Sequence, residues 1–274
     1  MTESPDVHAR WEVMGIVNVT PDSFSDGGQW LDPDAAISHG RQLAQAGAAL
    51  VDVGGESTRP GAQPVEQALE CERAIPVVAA LATAGVRVSI DTTKLRVAEA
   101  ALTAGATYVN DVSAFRDDPE LAGLVADRRA DCCLMHMRGE PRTMQTAPAY
   151  GDVVDDVKAF LLERVEFAIA EGVRDHHIQL DPGIGFGKTE AHNLALLQRL
   201  PELVALGFPV VVGASRKGFI GRLTGRAVPR ERVAGTLAVN VLALAAGARG
   251  FRVHDVAEHV DALTMAAATL RGHA

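Results

Sequence analysis

The sequence predicts an α/β protein, a single-domain (β/α)8 TIM barrel, on three observations. Short β-branched or aliphatic runs alternate with longer Ala/Leu/Glu-rich segments, as in βαβ units wrapped around a parallel sheet. The alternation occurs eight times in 274 residues, the number that closes a barrel. Glycine follows most of the helical segments, where a left-handed C-terminal cap would stand. A doubly wound open sheet is the competing architecture, but it would want a Gly-rich dinucleotide turn after the first strand, and "NVTPDSFSDGG" is not one.

The first strand is expected over 13–17, with a helix over 34–46 stopped by Ala46-Gly47. Strand two, 50–53, leads to a helix over 65–84 and Ala84-Gly85; strand three, 87–90, leads to 94–104 and Ala104-Gly105. Strand four, 107–109, precedes a helix at 119–129, and strand five, 132–135, precedes one at 152–171 that stops at Glu171-Gly172. Strand six, 178–180, is followed by a helix over 190–206 and Leu206-Gly207; strand seven, 210–212, by 233–246 and Ala246-Gly247; strand eight, 250–253, by 256–270. One domain spans 1–274, with 1–10 read as a flexible lead-in.

Composition narrows the function. Hydrophobic residues make up 47% of the chain, enough for a large core, and 35 acidic against 26 basic side chains give a net charge of −9. That balance carries no electrostatic footprint for nucleic acid or an anionic membrane, so any anion must be caught locally. "MTESPDVHARW" lacks a basic-then-apolar leader, and the apolar run 237–248 is interrupted by Asn240, so a soluble, cytoplasmic protein is expected. Cys71, Cys132 and Cys133 form neither an even disulfide framework nor a CxxC spacing and are read as reduced core residues.

In a barrel the chemistry sits at the C-terminal ends of the strands. Here those ends read Asn18, "DVGGESTRPGA", "SIDTTK", "VNDVSAF", "MHMRGEPRTMQ", "LDPGIGFGKT", "GASRKGF" and "RVHDV". Helix capping would account for one or two polar residues, not for a large polar group at nearly every mouth. Arg59, Lys188, Arg216, Lys217, Arg252 and His254 fall in these segments and are read as cations around a phosphate or pyrophosphate. Asp91, Asn110 and Asp181 offer acceptors and an amide suited to a nitrogen heterocycle, with a helix cap as the competing reading of Asp91. The nine histidines include His176-His177 but no HExxH, so no zinc site is expected. Asn18, with Asp22 and Asp26, resembles the sparse oxygen site that holds Mg²⁺ already bound to a substrate's phosphates.

Taken in order, the eight motifs, starting from "GIVNVTPDSFSDGG", resemble those of dihydropteroate synthase. The resemblance runs from about Val13 to the final helix. It implies a transferase of folate synthesis, joining 6-hydroxymethyl-7,8-dihydropterin diphosphate to p-aminobenzoate with release of pyrophosphate. It places the pterin against Asp91, Asn110, Asp181 and Lys217, with Met135, Gly185 and Phe186 shaping the slot. Asn18, Thr58, Arg59, Arg252 and His254 would take the diphosphate, with Mg²⁺ on Asn18 and one carboxylate, Asp22 or Asp26. Phe24, Thr58, Pro60, Ser215 and Lys217 would form the p-aminobenzoate site. Arg252, His254 and Lys217 would be catalytic through charge stabilisation and placement.

The segment "PDSFSDGG" would then be a lid that must move, and the family is typically homodimeric. Thr58, Pro60 and Gly61 stand as in sulfonamide-sensitive members. Glu140 and Glu190-Ala191 fall at variable positions and put nothing in the site in doubt. Two rivals remain: a methyltetrahydrofolate–corrinoid methyltransferase-like barrel, and a pterin binder without turnover.

Overall fold

The computed structural model describes residues 11–20, 32–59 and 61–271. Eight strands, β1 (Glu12–Asn18), β2 (Leu50–Gly54), β3 (Val88–Asp91), β4 (Tyr108–Asp111), β5 (Asp131–Met135), β6 (Ile178–Asp181), β7 (Val211–Val212) and β8 (Gly250–Val253), form one parallel sheet in the order 6-5-4-3-2-1-8-7. β1 pairs with both β2 and β8, which wraps the sheet round on itself. The last seam closes through a parallel bridge between Leu180 and Val210 and a bond from Leu180 N to Pro209 O of 2.9 Å.

The helices are α1 (Pro33–Gln45), α2 (Gln67–Thr83), α3 (Leu95–Thr103), α4 (Glu120–Arg128), α5 (Val153–Ala170), α6 (Glu190–Gln198), α7 (Leu200–Val204), α8 (Gly218–Thr224), α9 (Val233–Ala245) and α10 (Val256–Arg271). Each main helix turns an apolar stripe to the sheet; α10 buries Val256, His259, Leu263 and Ala267, the spacing of one helical face. All six expected glycine caps take positive φ, from +78° at Gly85 to +108° at Gly105, a backbone region that costs other L-residues strain. α4 stops without glycine: Arg129 itself adopts φ +52°.

Two expectations need correction. The helix expected over 190–206 is two helices meeting at Arg199, because Pro201 in the first turn of α7 has no N–H to continue the ladder. α8 and the short 3₁₀ turn Pro229–Arg232 occupy a stretch with no predicted element.

The strands bury nearly every side chain. Outward-facing Val and Ile pack under the helices, while Met14, Leu50, Tyr108, Cys133 and Val211 form a separate cluster. Each such side chain taken from water contributes about 1.5–3 kcal/mol. Cys132 and Cys133 are buried thiols; Cys71 is only half-buried. Among the described residues no helix is long and apolar enough to cross a membrane.

Candidate active site

The register places the site. Asn18 pairs with Gly54, Gly54 with Asp91, and Asp91 with Asn110, so one row across β1–β4 lines up three polar side chains at the C-terminal mouth. Met135 and Asp181 form the matching pair on β5 and β6. These residues, with Thr58, Arg59, Gly185, Phe186, Ser215, Lys217, Arg252 and His254, line one cavity of about 700 Å³, within the range of small-molecule sites. Every expected site residue among those described is brought to this cavity. Phe24, Pro60, the Asp22 and Asp26 alternatives, the proposed lid and residues 1–10 lie outside the described residues.

Asp52 organises the floor. It is fully buried; its Oδ1 accepts from Ser89 Oγ at 2.5 Å, and its Oδ2 accepts from Asn110 Nδ2 at 3.1 Å and Arg252 Nε at 2.6 Å. Arg252 Nη2 donates to Asp91 Oδ2 at 2.7 Å. Burial opposes the Arg252 charge, but Asp52 and Asp91 outweigh it and hold the guanidinium above its ordinary range. Burial pushes the Asp91 carboxyl up to about 7, against the pull of Arg252 and with a further push from Asp52. Asp91 Oδ1 is buried without a partner in the protein, an orphan that a ligand donor would satisfy. Asp91 is not a helix cap, since Leu95 N at the start of α3 donates to Asp118 Oδ2. Asp52 was missed by sequence reasoning, although the signal was there: a charge inside the apolar run Leu50-Val-Asp-Val53 must find a buried partner.

The opposite wall is a glycine-rich turn. Asp181 Oδ1 accepts from Gly183 N at 2.6 Å, and burial raises its carboxyl while Lys217 pulls it down. Gly183, Gly185 and Gly187 have φ of +67°, +86° and +62°. A Cβ on Gly183 would lie 1.9 Å from His136 O, and one on Gly187 would lie 2.3 Å from Arg138 O, so the turn exists only because side chains are absent. Gln145 Nε2 donates to Gly185 O at 2.6 Å, and Asn193 Oδ1 accepts from Gly185 N at 2.7 Å. Lys217 Nζ donates to Ile184 O and lies 4.4 Å from the Phe186 ring centroid. Burial lowers that ammonium to about 8, with Asp181 resisting. Met144 and Gln145, which no motif singled out as site residues, complete this wall.

Lys188, Arg216 and His254 also line this cavity, each held there by other parts of the protein. Lys188 is buried, its Nζ 2.8 Å from His136 Nδ1 and 3.0 Å from Phe186 O. Burial pushes it well below its ordinary value, and it stands in the cavity wall. Arg216 forms a two-point pair with Asp255, 2.9 Å from Nε and 2.5 Å from Nη2. His254 is neutral: burial, then Arg216 and Arg252, drive its proton affinity far down. Ser215 Oγ accepts from His254 N at 3.2 Å and lies 2.9 Å from His254 Nδ1. The hydroxyl can donate to Nδ1 in the tautomer that carries the ring proton on Nε2. Nε2 is buried with no protein partner and can donate to a ligand oxygen.

Among the described residues no three His, Cys, Asp or Glu side chains converge as a metal site. Asn18 reaches the cavity, and its amide oxygen is a hard donor of the kind Mg²⁺ accepts beside phosphate.

The chain matches the family described as "Pterin binding enzyme" over residues 14–254. It is 51% identical over 265 residues to the dihydropteroate synthase of Mycobacterium leprae, covering 94% of this chain and 93% of the relative. Its fold is similar to the crystal structure of Yersinia pestis dihydropteroate synthase with a sulfonamide drug complex, with a TM-score of 0.93, 43% identity and coverage of 97% and 96%. It is similar also to Xanthomonas albilineans dihydropteroate synthase with 4-aminobenzoic acid, with a TM-score of 0.87, 50% identity and coverage of 93% and 92%.

Proposed function

The chain belongs to the pterin-binding enzymes and, among them, to the dihydropteroate synthases; from that premise we propose how its residues divide the condensation of 6-hydroxymethyl-7,8-dihydropterin diphosphate with p-aminobenzoate. The observation that carries the assignment is the cavity in which Asp91, Asn110, Asp181 and Lys217 meet Arg252 and His254. The first four alternate acceptors and donors, as the edge of a pterin requires, and the last two stand where an anion would leave. Asp91 Oδ1, unpartnered in the protein, takes a ring or exocyclic N–H, and Asp181 takes another. Met135, Gly185 and Phe186 bound the slot.

The diphosphate lies against Asn18, Thr58, Arg59, Arg252 and His254. As the C–O bond to diphosphate breaks, charge grows on the leaving oxygen, where the Arg252 guanidinium and the His254 Nε2–H stabilise it. Mg²⁺, which Asn18 with Asp22 or Asp26 would hold, supplies further neutralisation of the phosphate oxygens when bound. The positive charge left on the methylene spreads into the pterin ring. The amine of p-aminobenzoate, placed by Thr58, Ser215 and Lys217 with Phe24 and Pro60, is already a neutral nucleophile and needs orientation more than deprotonation. A sulfonamide that imitates p-aminobenzoate competes for this place.

The protein acts in the cytoplasm, and as a homodimer: Leu242 on α9 and Met265 on α10 are 70% and 66% exposed on helices packed against each other, apolar area that a second copy would cover. The test is pyrophosphate release from the pterin diphosphate with Mg²⁺, with and without p-aminobenzoate. Dihydropteroate forming only with both substrates supports the assignment. A methyltransferase-like barrel or a silent binder yields no p-aminobenzoate-dependent product.

A further inference from the structure

The loop between β2 and α2 brings Ser57, Thr58 and Arg59 to the cavity, and it is fastened by a residue from the next barrel repeat. Lys94 stands one position before α3. Its ammonium donates to Glu56 Oε2, to Glu70 Oε2 at 2.5 Å and to Val65 O at 2.8 Å, which uses all three of its hydrogens. Glu56 lies at the start of the loop, Val65 at its end and Glu70 in the first turn of α2. Glu56 Oε2 also accepts from Val65 N at 3.3 Å, so the two ends of the loop are tied directly as well. Arg73 Nη1 donates to Gly55 O at 3.1 Å, and a Cβ on Gly55 would lie 2.8 Å from Glu70 O. The base of the loop is thus a closed polar ring packed closely on the first turn of α2.

None of Lys94, Glu56 and Glu70 lines the cavity. A buried carboxylate such as Glu70, 1% exposed, is expensive to hold without a cation. An apolar pair could have fastened the loop more cheaply, so the ring is a device for fixing geometry.

We propose that Lys94 is a positioning residue for the reaction: by pinning both ends of the β2–α2 loop it sets Thr58 and Arg59 against the amine and the diphosphate. This rests on the assignment made above. The binding energy of those contacts is available only if the loop is already in place, because ordering it would otherwise be charged to each binding event.

The experiment compares the parent, Lys94→Met, Lys94→Arg and the double variant Lys94→Met/Glu70→Gln, the last relieving the unpaired buried carboxylate so that the fold is kept. The expected result in the double variant is a p-aminobenzoate KM raised about tenfold, with the affinity for diphosphate-free 6-hydroxymethylpterin, which does not reach the loop, within about twofold of the parent. Lys94→Arg should recover most of the KM. Amide hydrogen exchange over residues 56–66 should accelerate in the double variant without added substrate. A parent that makes no dihydropteroate refutes the function, and the exchange measurement then still decides the inference. Unchanged exchange, or a lowered melting temperature with an unchanged KM in an active parent, would overturn it.

Discussion

Arg252 on β8 and Asp52 on β2 are separated by 200 positions in the chain and meet at 2.6 Å inside the barrel. The pair joins the last strand to the second across β1, and Asn110 shares the same carboxylate oxygen. Asp52→Ala should therefore destabilise the protein by about 3 kcal/mol, the scale for leaving one member of a buried ion pair uncompensated, and should weaken pterin affinity although Asp52 is a floor residue. Chemical denaturation and calorimetry are the measurements. A loss below about 1 kcal/mol would mean that Asp91 alone satisfies Arg252.

Gly183→Ala should be among the most damaging single-methyl additions in the molecule. The new Cβ meets His136 O at 1.9 Å, and the backbone is already left-handed. Gly207→Ala is the control: its φ is +90°, but nothing lies within 4 Å of the added methyl. Gly207→Ala should cost about 1 kcal/mol of backbone strain. Gly183→Ala should cost several times more and abolish pterin binding, as read by thermal melts and calorimetry. Equal effects would show that the steric contact relaxes freely.

His254→Ala should lower kcat by about 10²–10³-fold, the scale for losing one transition-state donor, while leaving pterin affinity near that of the parent. Asp181→Ala should do the reverse, because it strips a buried acceptor and leaves ligand donors unpaired. Single-turnover rates and titration of diphosphate-free pterin separate the two. A His254→Ala enzyme that turned over normally would move the leaving-group site elsewhere.

The raised Asp91 carboxyl fixes a pH dependence. Its affinity for a proton is that of a group titrating near 7 in the folded state against an ordinary 3.8. Between those values the native state binds more protons than the unfolded one, so this group's contribution to stability falls as pH rises from about 4 to about 7 and stays low above. Asp91→Asn mimics the protonated form. The melting temperature of the variant relative to the parent should accordingly rise between pH 5 and pH 8; a constant difference would place the Asp91 titration below this range.

The barrel was legible because its evidence is local and repeated: six helix stops ending in glycine, four of them Ala-Gly, each with positive φ in the structure, mark the end of one unit before the next strand. The mouth residues were legible for the same reason, since strand ends carry the chemistry whatever the helices do. What the sequence hid is pairing across the barrel. Nothing near Arg216 in the chain points to Asp255, nor does anything near Lys188 point to His136, yet these contacts hold both side chains in the cavity wall. Likewise His254 reads as a charge in a motif, yet burial and then the arginines around it push its imidazolium well below the ordinary range.

The join between β6 and β7 is the thinnest stitch in the wall, one bridge beside a strand of two residues. Asp181 ends the strand on one side of it and Lys217 follows the strand on the other. A heterocycle held by both, as proposed above, would act as a rivet across this joint of the ring. On that proposal, breathing of the wall and occupancy of the slot are linked, and a bound pterin should slow amide exchange along this seam.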